Sequence, residues 1–123
     1  MHLDPKQVRR VTTIGGGPIG GGWAAHFLAR GYDVTAYIHD VAERPILDGI
    51  INTAWQSLTA LGLAAEASLD RLTVVTDLTE AVKGTQFIQE SAPENLPIKQ
   101  ALYARLGQIV PSEVVIGSST SGL

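Results

Sequence analysis

The chain has no cysteine, no excess of positive charge and no long apolar run. Without cysteine there is no disulfide framework, no thiolate nucleophile and no cysteine-based metal site, and no metal is expected. A cysteine-free chain suits the cytoplasm, which is the expected compartment. The formal net charge of −3 provides no basic face, so nucleic acid is not an expected partner. No stretch approaches membrane-spanning length, and Met1-His2-Leu3-Asp4-Pro5 lacks the apolar core of a signal peptide. A soluble protein without membrane association is therefore expected. Its 123 residues can build one domain with a real core but not two.

Glycine is well represented, and its placement is informative. Gly15-Gly16-Gly17-Pro18-Ile19-Gly20 lies between an apolar strand-like run ending at Ile14 and an apolar helix-like run from Trp23 to Leu28. This is a G-x-G-x-x-G turn with a strand before it, a helix after it and a second strand close behind. Gly15 permits the tight turn, Gly17 lets a pyrophosphate approach the backbone, and Gly20 lets the helix pack closely on the strand. The N–H groups and positive dipole end of that helix then face the phosphates. The bland alternative is a glycine turn with no ligand. The setting favours a dinucleotide, with Gly15, Gly17, Pro18, Ile19 and Gly20 as contact residues.

The rest of the chain alternates short apolar runs with longer helical ones, the pattern of a parallel sheet with crossover helices. Strands are expected near 8–14, 33–38, 72–76, at Phe87-Ile88 and near 114–116. Helices are expected near 18–30 and 42–61, with Pro45 tolerated in a first turn and Gly49 weakening continuity. Asp77-Leu78-Thr79-Glu80 reads as a capping box opening a short helix that Gly84 ends. A last helix puts Leu102, Leu106 and Ile109 on one face. The predicted fold is α/β, a Rossmann-type doubly wound parallel sheet over residues 1–123. The second half ends after the fifth strand, as expected of an N-terminal fragment of a longer enzyme.

Three blocks together resemble the 3-hydroxyacyl-CoA dehydrogenase superfamily: Ile14 to Gly20, Phe87-Ile88-Gln89-Glu90-Ser91-Ala92-Pro93-Glu94-Asn95, and Ser118-Ser119-Thr120-Ser121-Gly122-Leu123. The wording of the last two is similar to the branch holding carnitine and gulonate dehydrogenases and lambda-crystallin. Trp55, Leu61-Gly62-Leu63 and Ser68-Leu69 point towards the carnitine side. The resemblance implies an NAD-dependent enzyme oxidising the 3-hydroxyl of a small hydroxy acid, as a homodimer at full length; the alternatives are a gulonate or 3-hydroxyacyl-CoA dehydrogenase domain, or a non-catalytic nucleotide-binding module. By motif position it implies that Glu94 and Lys99 contact NAD and that Ser121 lies near the nicotinamide and the substrate hydroxyl. In the family a histidine oriented by a carboxylate takes the hydroxyl proton, and both lie beyond the fifth strand. None of His2, His26 and His39 stands there, so these residues alone are expected to be inactive.

Several of these residues have an ordinary reading as well. Ser91-x-x-Glu94 is also a capping-box pattern, Lys99 is also a plain helix lysine, and the serines and threonine at 118–121 also suit a polar loop. Glu90 reads as a strand-end carboxylate near the ligand crevice, with no role assigned.

Two departures from the family pattern stand out. NAD-binding folds carry an acidic residue at the end of the second strand for the ribose 2′-OH, and here that position is Ile38. Asp40 either substitutes for it or caps a helix; Arg44 either meets a 2′-phosphate or is simply exposed. NAD is the expected cofactor, with Ile38 and Asp40 marking its ribose. The second departure is that Pro45 to Ala65 contains no Lys or Arg to meet CoA phosphates. This argues for a small free hydroxy acid, and carnitine fits. Trp55 is read either as a wall for its ammonium or as a core residue.

Overall fold

The computed structural model describes residues 9–15, 17–91 and 96–118. The expectations for Gly16, Glu94 and Ser121 fall outside these residues.

Strand β1 (Arg10–Ile14) pairs in parallel with β2 (Asp33–Tyr37) on one side and β4 (Phe87–Glu90) on the other. Outside them lie β3 (Leu72–Val75) and β5 (Val115–Ser118), giving the order β3-β2-β1-β4-β5. The order reverses between β1 and β4, where an open α/β sheet receives its ligands. The pairing register puts Val75, Tyr37, Ile14, Glu90 and Ser118 side by side at the strands' carboxyl ends.

Helices α1 (Pro18–Ala29) and α2 (Arg44–Leu61) build one core with the sheet, from Ala24, Ala25, Leu28, Val34, Ala36, Ile38, Leu47 and Ile51. Helices α3 (Leu78–Ala81) and α4 (Leu96–Ile109) help form a second core, where Ile14, Val82, Ile88 and Leu106 are buried. Fully burying a Leu or Ile contributes about 1.5–3 kcal/mol. Leu102 and Ile109 pack beside Leu106, as the spacing predicts. Trp55 packs against the first core, the ordinary one of its two readings.

Helix α1 lies close to its neighbours because its buried face is small: Gly20, Gly21, Ala24, Ala25 and Ala29 surround Leu28. A Cβ on Gly21 would come within 2.6 Å of Ile50 in α2. The helix stops before Gly31, which sits at φ +89.

The second predicted helix is two pieces. Val41–Glu43 form a 3₁₀ turn capped by Asp40, and α2 starts at Arg44. Pro45 lacks the N–H that an interior helical position needs, so it fits in the opening turn. Gly49 does not interrupt α2. In α3, Asp77 caps through the Thr79 N–H at 3.3 Å rather than through Glu80. β5 extends further than predicted, so Ser118 belongs to the sheet and not to a loop. Among the described residues, no helix is long and apolar enough to cross a membrane.

Adjacent buried threonines on β1 differ in their hydrogen bonding. The Thr12 hydroxyl lies 2.8 Å from both the Ala81 carbonyl and the Thr85 hydroxyl. The Thr13 hydroxyl has no partner among the described residues. A broken buried hydrogen bond costs about 1–3 kcal/mol, while removing an unpaired hydroxyl costs nothing comparable. Thr12→Val is therefore expected to lower unfolding stability by about 1–2 kcal/mol, and Thr13→Val to leave or raise it. Urea denaturation of the two variants checks this, and equal losses would refute it.

Candidate functional site at the carboxyl ends of the strands

The site begins where β1 ends. Gly15 sits at φ +117, which only glycine adopts without strain, and turns the chain off the strand. Its N–H donates to the Tyr37 carbonyl at 3.2 Å, fixing the turn to β2. A Cβ on Gly20 would collide with the Gly15 carbonyl, so α1 can start this close to β1 only with glycine there. A Cβ on Gly17 would meet nothing within 4 Å.

Gly17 precedes the first turn of α1 with no side-chain cap, and no acidic residue stands in that turn. The helix therefore presents unneutralised backbone donors to the crevice, which is how such turns receive a diphosphate. Pro18 and Ile19 occupy the exposed first turn and line a shallow cleft with Gly22, Trp23 and His26. The turn fits a dinucleotide pyrophosphate. His26 is an exposed helix residue standing edge-on to Trp23 at 5.9 Å.

Across the switch point stands Glu90, 0% exposed. Its Oε1 accepts from the Tyr103 hydroxyl at 2.9 Å and the Ser118 hydroxyl at 3.0 Å. The Lys99 ammonium lies 3.4 Å from both carboxylate oxygens. The predicted contact residue Lys99 is thus held at the rim by a buried carboxylate. The chain leaving Glu90 is tied back to β1, because the Ser91 N–H donates to the Ile14 carbonyl at 2.8 Å.

Ser118 belongs to the block that the sequence marks as functional, but its bond to Glu90, and that of Tyr103, are not visible there. A signal existed, because Lys99, Leu102, Tyr103 and Leu106 share one helical face, which the leucines place against the sheet. The partner of that face's polar end lies on another element, and spacing alone does not name it.

The third part of the site lies between β2 and β3. A cleft of about 350 Å³ is lined by Ile38, Val41, Arg44, Val74, Val75, Thr76, Asp77 and Glu80. Ile38 is 1% exposed and packs in the first core. Its N–H donates to the Val75 carbonyl at 3.0 Å. Asp40 carries out its capping role in full: its carboxylate accepts from the Ala42 N–H at 2.9 Å, and its own N–H donates to Glu43 at 2.9 Å. Arg44 bonds Asp48 through Nε at 3.0 Å.

The family described as "3-hydroxyacyl-CoA dehydrogenase, NAD binding domain" matches residues 10–123. The chain belongs to that family. An L-carnitine dehydrogenase of Streptomyces coelicolor is 55% identical over 118 residues, covering 96% of this chain and 37% of that protein. One from Streptomyces griseus is 58% identical over 120 residues, covering 96% and 35%. The chain thus spans little more than a third of these relatives' length. Among solved structures, 5-formyl-3-hydroxy-2-methylpyridine 4-carboxylic acid 5-dehydrogenase, an NAD+ dependent dismutase, superposes with a TM-score of 0.83 at 28% identity. That match covers 95% of this chain and 38% of the other. The resemblance seen in the three sequence blocks holds, and the fold is an NAD-binding Rossmann domain of the dehydrogenase type.

The network around Glu90 sets a measurable property. Burial first, then the hydrogen bond to Glu90 and that carboxylate's charge, push the Tyr103 phenol above its usual 10.0, with Ser118 opposing. Folding thus favours the neutral phenol; its contribution to stability is complete below the ordinary value and fades as pH rises through the raised one. Ultraviolet titration of the protein against Tyr103→Phe should place this ionisation above 10.0. Glu90→Gln should bring it down, because the charge is removed while an acceptor oxygen stays. An ionisation indifferent to Glu90→Gln would contradict the network.

Proposed function

We propose that this domain holds NAD for an enzyme that oxidises the 3-hydroxyl of L-carnitine to the 3-oxo compound. The observation that carries the reading is the uncapped glycine turn at the switch point, on a chain 55–58% identical to two L-carnitine dehydrogenases. Bound NAD supplies the acceptor for the hydride leaving C3. Gly15, Gly17, Pro18, Ile19 and Gly20 cradle the pyrophosphate through backbone and close approach. Lys99 and Glu94 hold the nicotinamide half, and Ser121 bonds the reacting hydroxyl. The proton from that hydroxyl goes to a base outside these 123 residues, so they are inactive alone.

The substrate assignment rests on the relatives' names and on charge. Beyond Arg44 at its first position, which is paired with Asp48, α2 carries no Lys or Arg to meet CoA phosphates. A free hydroxy acid fits this surface better. The full-length enzyme is read as a cytoplasmic homodimer, consistent with a cysteine-free chain.

Purified full-length protein should reduce NAD with L-carnitine, with much weaker turnover of L-gulonate and 3-hydroxybutyryl-CoA. Turnover of the CoA ester in preference to carnitine would overturn the substrate assignment. Ser121→Ala should lower kcat/KM for carnitine about 10–100-fold, the loss of a hydrogen bond to a reacting group. An unchanged kcat/KM would remove Ser121 from the site.

A further inference from the structure

The cleft between β2 and β3 differs from an NAD-selective one in a way that follows from side-chain direction. Selectivity for NAD comes from a carboxylate at the end of the second strand, which bonds the ribose 2′-OH and repels a 2′-phosphate. In this chain the residue at that position is Ile38, and its side chain is buried in the first core. It neither accepts a hydrogen bond nor repels an anion.

The next acid along does not replace it. Asp40 accepts from the Ala42 N–H through Oδ1, and Glu43 reaches back to the Asp40 N–H, so the two acids close a reciprocal cap. A ribose bond from Asp40 would fall to Oδ2, on a carboxylate already oriented by its own turn.

The charges lining the cleft are mixed. Arg44 lines it with a half-exposed side chain, bonded to Asp48 through Nε; its Nη groups make no hydrogen bond to any described residue. Asp77 and Glu80 line the cleft too, with Asp77 engaged as the cap of α3. A 2′-phosphate would thus meet one cation and two carboxylates in a solvated setting, where each exposed charge has a small effect. Attraction and repulsion of this size leave neither cofactor strongly favoured.

We propose that Ile38 is a specificity-determining residue, and that through it this domain accepts NADPH about as well as NADH. The inference rests on the proposed dinucleotide site and deepens it.

Calorimetric titration of the full-length protein with NADH and with NADPH tests it directly. The expected dissociation constants lie within about tenfold of each other, the difference that a weak surface charge balance allows. A preference beyond roughly thirtyfold in either direction overturns the inference. NADH binding with no NADPH binding sinks this inference and leaves the cofactor reading standing; binding of neither sinks both.

Two variants extend the test. Ile38→Asp should raise the preference for NADH at least about tenfold, and an unchanged ratio would remove Ile38 from the selection. Because a carboxylate at a core position can unfold the protein, Arg44→Glu on the surface serves as the second. It should weaken NADPH about fivefold or more and move NADH less than about twofold. Equal changes for both cofactors would show that no 2′-phosphate reaches this cleft, and the inference would fail.

Discussion

The approach of α1 to the end of β1 is the constraint on which the site depends. No side chain fits between Gly20 and the Gly15 carbonyl, so the helix begins against the strand. That places its first-turn donors at the reversal of strand order, where the connections from two neighbouring strands leave in opposite directions and open a crevice. The same closeness runs on along the helix. Gly21 admits Ile50, which draws α2 against α1, and Ala24, Ala25 and Leu28 then seal the first core. A larger residue at Gly20 would move the helix, and with it both the donors and the packing behind them.

The opposite wall of the crevice is organised around a buried charge. A carboxylate with no exposure is stable only when its oxygens are well supplied with donors, and Glu90 has Lys99, Tyr103 and Ser118 around it. These come from α4 and β5, so one side chain joins three elements across the second core's upper edge. Such a pair adds little net stability over an apolar substitute, because desolvation offsets most of the attraction. Its consequence is positional: Lys99 is held against the carboxyl end of β4 instead of ranging through solvent as a helix lysine does.

How much of this was legible in the sequence follows from the range of each interaction. The glycine turn, the alternation of strand and helix, and the Leu102-Leu106-Ile109 face are local signals, and the structure carries all of them. The dinucleotide-binding fold was therefore readable, and the family came from the resemblance in the three sequence blocks. The Glu90 network was not, because its members lie 9 to 28 residues from Glu90 and reach it through the β4–β5 register and the placement of α4. Asp40 was ambiguous for a different reason. An aspartate after a strand and before a helix suits a ribose or a cap equally well, and only the bonds from the Ala42 N–H and from the Asp40 N–H to Glu43 reveal the cap. The helix boundary near Arg44 was missed because a 3₁₀ turn and a first helical turn share the same capping residues.

Ile38 shows how a fold can keep its cofactor turn while its ribose corner changes. The pyrophosphate is met by backbone groups whose placement is forced by glycines, and few substitutions are compatible with that. The ribose is met by one side chain at a strand end, whose direction is a matter of what the core will take. An acid there must turn outwards; an isoleucine turns in and adds its burial to the packing of Ala36, Leu47 and Val74. Burying such a side chain is worth about 1.5–3 kcal/mol, comparable with one good hydrogen bond to a charged group. The two choices at this position are close in magnitude but act on different things, one on stability and the other on cofactor selection. A chain that has taken the first gains packing at this corner, and the next acid along, Asp40, caps its own turn through Oδ1.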